Sequence, residues 1–170
     1  MKAQSELLVF VLLFLLSILL FMISVYWGKD VFQKNVDMTK VSSAEKFTKE
    51  VDYSIKSLIK SDGYQEIDYN VDGPITIFDG KTIEVRTVIT SDISIPREWV
   101  NITSDSSYIS EKLDGDVFRV QLVYPETESY KIELFTDGPN LSKPKSVRLN
   151  KNSTYYENDK LTIKIRITFA

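Results

Sequence analysis

The chain has 170 residues, 43% of them hydrophobic and 26% charged, with room for one domain of ordinary size beside a membrane segment. Its net charge of −3 divides unevenly: residues 1–60 carry 8 basic and 6 acidic side chains, and residues 61–170 carry 13 basic and 18 acidic. An acidic second half argues against nucleic acid as a partner, and the absence of Cys and His excludes thiol chemistry, a histidine base, most zinc sites and any disulfide framework.

The first element is apolar. Leu7 to Trp27, "LLVFVLLFLLSILLFMISVYW", is 21 residues without a charge. At about 1.5 Å per residue, a helix of this length spans the ~30 Å hydrocarbon core of a bilayer. Ser17 and Ser24 are tolerable there, because a helical serine can return its hydroxyl to its own backbone. Tyr26 and Trp27 close the run, where amphipathic rings prefer the headgroup layer. A secretory signal has a shorter apolar core and a small-residue cleavage site after it, whereas this run ends in "YWGKD". Lys2 and the amino terminus ahead of the run predict a cytoplasmic N-terminus and an external C-terminal bulk.

Helical periodicity continues past the run. Phe32, Val36, Val41, Ala44, Phe47, Val51, Ile55 and Leu58 recur mostly three or four residues apart, and no proline intervenes. Ser61-Asp62-Gly63 supplies the stop. The pattern predicts one helix over residues 5–60, apolar all round in its first half and amphipathic in its second, with Gly28 at the junction as the expected bend.

A very short basic leader, a small residue, a Gln-Ser-Glu segment and a long apolar helix that turns amphipathic together resemble an archaeal type IV pilin. The resemblance covers about the first sixty residues. It implies that a prepilin peptidase cuts between Ala3 and Gln4, with Lys2 as the basic recognition residue, residues 1–3 as the leader and 4–62 as the pilin helix. Glu6 would then stand third in the mature chain, where many pilins place their acid fifth. A lone carboxylate at the hydrocarbon edge is costly. It becomes useful when helices pack side by side: Glu6 can meet the α-amino group freed at Gln4 of a neighbour, and a mismatched register leaves both charges bare.

From Tyr64 the period changes to two. Alternation predicts strands in "TIEVRTVIT" (82–90), "DVFRVQLVY" (116–124) and "LTIKIRITF" (161–169), with shorter ones at 75–78, 98–102, 108–110, 130–135 and 146–149. Asp79-Gly80 and Asp114-Gly115 fall between strand pairs as hairpin turns. Residues 63–170 are thus expected to form an external antiparallel β-sandwich, immunoglobulin-like in the broad sense, and the whole chain an α+β protein.

Three N-x-S/T sequons lie in this half, at Asn101, Asn140 and Asn152, which predicts a glycoprotein if the head is external. "DYNVDGPITIFD" (68–79) matches a calcium-loop pattern, with Asp68, Asn70, Asp72 and Asp79 as oxygen ligands and Gly73 at the sharp turn. The competing reading is a plain helix-to-sheet turn, with no cofactor. No spacing pairs a nucleophile with a base, so the chain does not read as an enzyme.

The reading that joins these features is a structural subunit of an archaeal type IV pilus-like surface filament serving adhesion. It would be held in the cell membrane before assembly and extracellular afterwards. Its partners would be its own copies, a prepilin peptidase, an assembly ATPase and a membrane platform. The alternative is a pilin-like single-span membrane protein with an external β-sandwich, such as a stator or minor subunit of the archaeal rotary filament. A third class, a sugar- or surface-binding module on a stalk, has only Tyr155 and Tyr156 to suggest it.

Overall fold

The structure is a computed structural model that describes residues 2–104, 107–137 and 144–170. The side chains of residues 2–5 and 104 are not among those described. One helix, α1, runs Lys2–Lys60. Its 59 residues at about 1.5 Å each make it on the order of 90 Å long. It passes through Gly28 uninterrupted, because one glycine costs only about 1 kcal/mol of helix propensity and leucine-rich sequence on its N-terminal side repays that. Ser17 Oγ donates to Leu13 O and Ser24 Oγ to Leu20 O, both at 2.9 Å, so neither hydroxyl is left bare in the apolar half. After Lys60 the chain turns at Gly63, whose φ of 130° is a value that side chains rarely adopt.

Among the described residues nine strands follow: β1 Tyr64–Asp68, β2 Ile75–Phe78, β3 Thr82–Val88, β4 Val100–Ser104, β5 Tyr108–Asp114, β6 Val117–Val123, β7 Tyr130–Thr136, β8 Ser146–Glu157 and β9 Lys160–Phe169. They form a four-stranded sheet ordered β1-β8-β9-β7 and a five-stranded sheet ordered β2-β3-β6-β5-β4. Asp79 (φ 52°) and Gly80 (φ 63°) turn the β2–β3 hairpin, and Gly115 (φ 63°) opens the β5–β6 turn. The β8–β9 turn is Asn158-Asp159, both at positive φ, a primed turn built without glycine.

The expected β-sandwich is present, with one correction to its pairing: β7 and β9 run parallel, in register from Tyr130↔Leu161 to Thr136↔Ile167. The reason lies in the connections. The chain reverses between β7 and β8 and again at the β8–β9 hairpin, and two reversals leave β7 and β9 pointing the same way. The strand order also differs from that of an immunoglobulin constant domain, so the likeness to that fold is limited to two stacked sheets.

The helix is part of the core. Ala44, Phe47, Val51, Ile55 and Leu58 are buried and join one hydrophobic cluster with Val85, Phe118, Val120, Leu149 and Ile165 of the sheets. Phe47 meets Tyr69 edge to face, with ring centroids 4.9 Å apart. The helix touches β3 and β6 of one sheet and β1 and β8 of the other. Phe32, read from sequence as the start of the buried stripe, is exposed, because the head first meets the helix one residue later, at Gln33. The boundary drawn at residue 62 therefore falls inside a shared core, and the folding unit of the head reaches back into the helix.

Ile55→Ala should lower the unfolding free energy of the detergent-solubilised chain by roughly 2–5 kcal/mol. Tyr53→Ala, on the exposed face of the same turn, should change it by less than about 0.5 kcal/mol. Chemical denaturation followed by near-ultraviolet circular dichroism measures both.

Candidate functional site: a bare apolar helix clamped to a β-head

Every described side chain from Glu6 to Phe32 is exposed, including Leu7, Phe10, Phe14, Phe21 and Trp27. Among the described residues this is the one helix long and apolar enough to cross a membrane, and none of its most apolar window is buried by the rest of the chain. Burying one Leu or Phe side chain is worth about 1.5–3 kcal/mol. A surface of this extent therefore marks a membrane or protein contact. Glu6 stands exposed one residue ahead of the run. Lys2, Ala3 and Gln4 occupy the first turn of α1, so the Ala3–Gln4 bond is helical; their side chains lie outside the described set.

Above the bare half, carboxylates fix the helix to the head. Asp37 has a fully buried side chain. Its Oδ2 accepts from Thr90 N (2.9 Å), Ser91 N (2.8 Å), Ser91 Oγ (2.8 Å) and Thr90 Oγ1 (3.2 Å). Lys40 Nζ lies 3.4 Å from the other oxygen and donates to Val88 O. Gln33 Nε2 reaches Thr90 Oγ1 at 2.7 Å. Burial alone would raise the Asp37 pKa, but the hydrogen bonds from Thr90, Ser91 and Gln33 outweigh it and hold the carboxyl well below the usual range. A second clamp lies four turns on. Asp52 Oδ1 accepts from Ser107 Oγ (2.7 Å) and Tyr124 OH (2.8 Å), and its Oδ2 pairs with Lys56 (2.8 Å). Burial, then the neighbouring Asp52 charge, pushes the Tyr124 phenol far above its ordinary value. At the top, Lys151 Nζ bridges to Asp62 at 3.0 Å.

Sequence reasoning missed both aspartates as functional residues. The available signal was positional: Asp37 lies four residues after Gln33 and four before Val41, on the stripe that faces the head. A carboxylate there needs donors from whatever packs against it.

The residues proposed for calcium are not gathered. Asp68, Asn70 and Asp72 are exposed and alternate with the buried Tyr69, Val71 and Gly73 in a segment that bends at Asp72-Gly73, where Gly73 N donates to Val71 O. Asp79 lies beyond β2, in the next turn. Gly73 is explained otherwise: a Cβ there would meet the Arg86 carbonyl oxygen at 1.6 Å. Among the described residues no group of three or more acidic side chains is placed to hold a metal ion. A cleft of about 400 Å³ beside β7 is lined by Lys81, Glu126, Lys131, Glu133 and Lys164, but its charges are largely matched, with Lys131 and Lys164 on Glu133 and Lys160 on Glu126.

Of the sequon asparagines, Asn101 lies in β4 and Asn152 in β8, both exposed; Asn140 is outside the described residues. Tyr155 and Tyr156 do not make a joint aromatic platform. Lys164 lies over the Tyr155 ring, while Tyr156, the next residue of the strand, is turned to the other face and stands 78% exposed. No protein-family model, no curated protein and no solved structure matches the chain.

The Asp37 clamp has a pH signature. A carboxyl depressed in the folded state adds stability above its unfolded pKa near 4, and that stability is lost as pH falls through the folded value. Asp37→Asn should cost about 1–3 kcal/mol at neutral pH. Between about pH 5 and pH 2 its melting temperature should fall less steeply than that of the unaltered chain. A pH series of melting curves on the two proteins checks this.

Proposed function

We propose that this chain is a structural subunit of a type IV pilus-like filament on an archaeal cell surface. Leu7–Trp27 rests in the membrane before assembly and becomes the filament core afterwards, and the β-head coats the shaft. The observation that carries the reading is a single unbroken helix that is bare and apolar in one half and locked into the head's core in the other. A plain tether needs no stiff connection to the domain it holds. A subunit whose helix sets the position of its head around a shaft does, and Asp37 and Asp52 provide that stiffness.

On this reading a prepilin peptidase opens the Ala3–Gln4 bond, an ATPase and a membrane platform drive assembly, and Glu6 pairs with the new α-amino group of a neighbour. Copies of the same helix replace lipid around Leu7–Trp27, one apolar environment exchanged for another, so extraction from the bilayer carries little hydrophobic cost. Adhesion is the role assigned to the assembled surface.

Two substitutions test this. Glu6→Gln should leave membrane insertion intact, since it removes a charge from the hydrocarbon edge, yet reduce filament yield because the register pair is lost. Leu13→Lys, in the middle of the run, should cost at least about 2.5–3.5 kcal/mol on insertion and abolish filaments. Quantitative blotting of membrane and sheared-filament fractions reads both. Full filament yield from Glu6→Gln would make Glu6 a mere interfacial charge, and full yield from Leu13→Lys would overturn the axial-core arrangement and leave the helix as an anchor only.

A further inference from the structure

Each sheet has edges whose backbone N–H and C=O groups face outward, and an unguarded edge invites pairing with another chain. Here several are guarded by the fold. β1 lies along α1. β2 and β7 close on each other, where Leu134 N donates to Gly80 O at 2.6 Å. Two stay open among the described residues. β4 pairs only with β5, and it exposes Val100 and Ile102. β8 is paired with β1 as far as Asn150, and Lys151 N still donates to Gly63 O, so residues 152–157 pair with β9 alone, with Tyr156 exposed among them.

Each open edge carries an N-x-S/T sequon, and each sequon sits on a β-bulge. In β4 the register shifts between Asn101 and Thr103, with Ile102 as the extra residue. In β8 it shifts between Lys151 and Ser153, with Asn152 itself as the extra residue. These two shifts are the only ones among the described pairings. A bulge disrupts the ladder and turns a side chain away from the regular alternation. Both asparagines are exposed.

We infer that Asn101 and Asn152 carry N-linked glycans whose task is to cap the two open sheet edges. The co-reactant is a polyprenyl-phosphate-linked sugar on the outer side of the membrane. The asparagine amide nitrogen bonds to the anomeric carbon, the anomeric carbon–oxygen bond to the lipid phosphate breaks, and the nitrogen's proton leaves with the phosphate. A bulky, hydrated group at the bulge then blocks an incoming strand where the exposed Val100, Ile102 and Tyr156 would otherwise favour pairing. Heads packed at high density on one surface need such a guard, because crowding raises the chance of edge meeting edge. The inference rests on the head lying outside the cell.

Peptide mass spectrometry on protein purified from its native membrane tests the attachment. Peptides holding Asn101 and Asn152 should each carry a sugar mass increment, and either peptide found wholly unmodified overturns the inference. Placement is read separately, by labelling a Ser129→Cys variant on intact cells with a membrane-impermeant maleimide, the chain having no cysteine of its own. Labelled heads with bare asparagines overturn the glycans alone; unlabelled heads with bare asparagines overturn the external placement as well. The role is tested with Asn101→Gln and Asn152→Gln combined. Melting temperature should be unchanged, while the dispersed species is lost to thioflavin-binding aggregates. Dispersion equal to that of the glycosylated protein would show that the sugars guard nothing.

Discussion

The side chains from Leu7 to Trp27 stand exposed, and water is a poor solvent for them. The rest of the fold is arranged around that constraint. The run cannot fold back onto the head, because it belongs to a helix whose other half is already committed: Ala44, Phe47, Val51, Ile55 and Leu58 are buried in a core shared with both sheets. The apolar half must therefore find its cover outside the chain, in a membrane or in another protein surface.

How firmly the two halves are joined then decides what the helix can transmit. The first head contact, at Gln33, comes six residues after Trp27, on the order of 9 Å along the axis. Asp37 gathers the 90–91 loop at this lower end, Asp52 holds Ser107 and Tyr124 midway, and Lys151 reaches Asp62 at the top. The buried Asp37 carboxylate, accepting several hydrogen bonds, is costly to disengage, since that leaves an unpaired charge in a site closed to water, and the partly buried Asp52 adds a second hold. Head and helix thus behave as one lever. On the proposed reading, that lever is what turns helix packing at the axis into a fixed arrangement of heads at the surface.

The helix was legible because its apolar positions recur at helical spacing over the head-facing stretch. Most strands were legible because alternation is strict where one face meets the core, as in Ile83–Val85–Thr87 and Phe118–Val120–Leu122. β1 escaped notice since only Ile67 of its five residues is buried, so it has no alternation to read. β8 was read as four residues rather than twelve because the bulge at Asn152 resets its pattern halfway along. The Asn158-Asp159 turn lacks the glycine that usually announces a primed hairpin. The parallel β7–β9 pair could not be read at all, since side-chain alternation carries no strand direction. The clamps were illegible for a related reason. A charged residue on a helix reads as solvated until its donors, here fifty or more positions away, are brought beside it. Glu84, buried on β3 among Arg86, Arg119 and Gln121, is a second case.

The most direct measurement of the central claim is electron cryomicroscopy of filaments sheared from the cells that make this chain, with peptide identification of the subunit. The account predicts a shaft whose axis is a bundle of α-helices fitting Leu7–Trp27, surrounded by two-sheet heads, and a subunit that begins at Gln4. Recovery of the chain only as a non-filamentous membrane protein, intact from Met1, would contradict it.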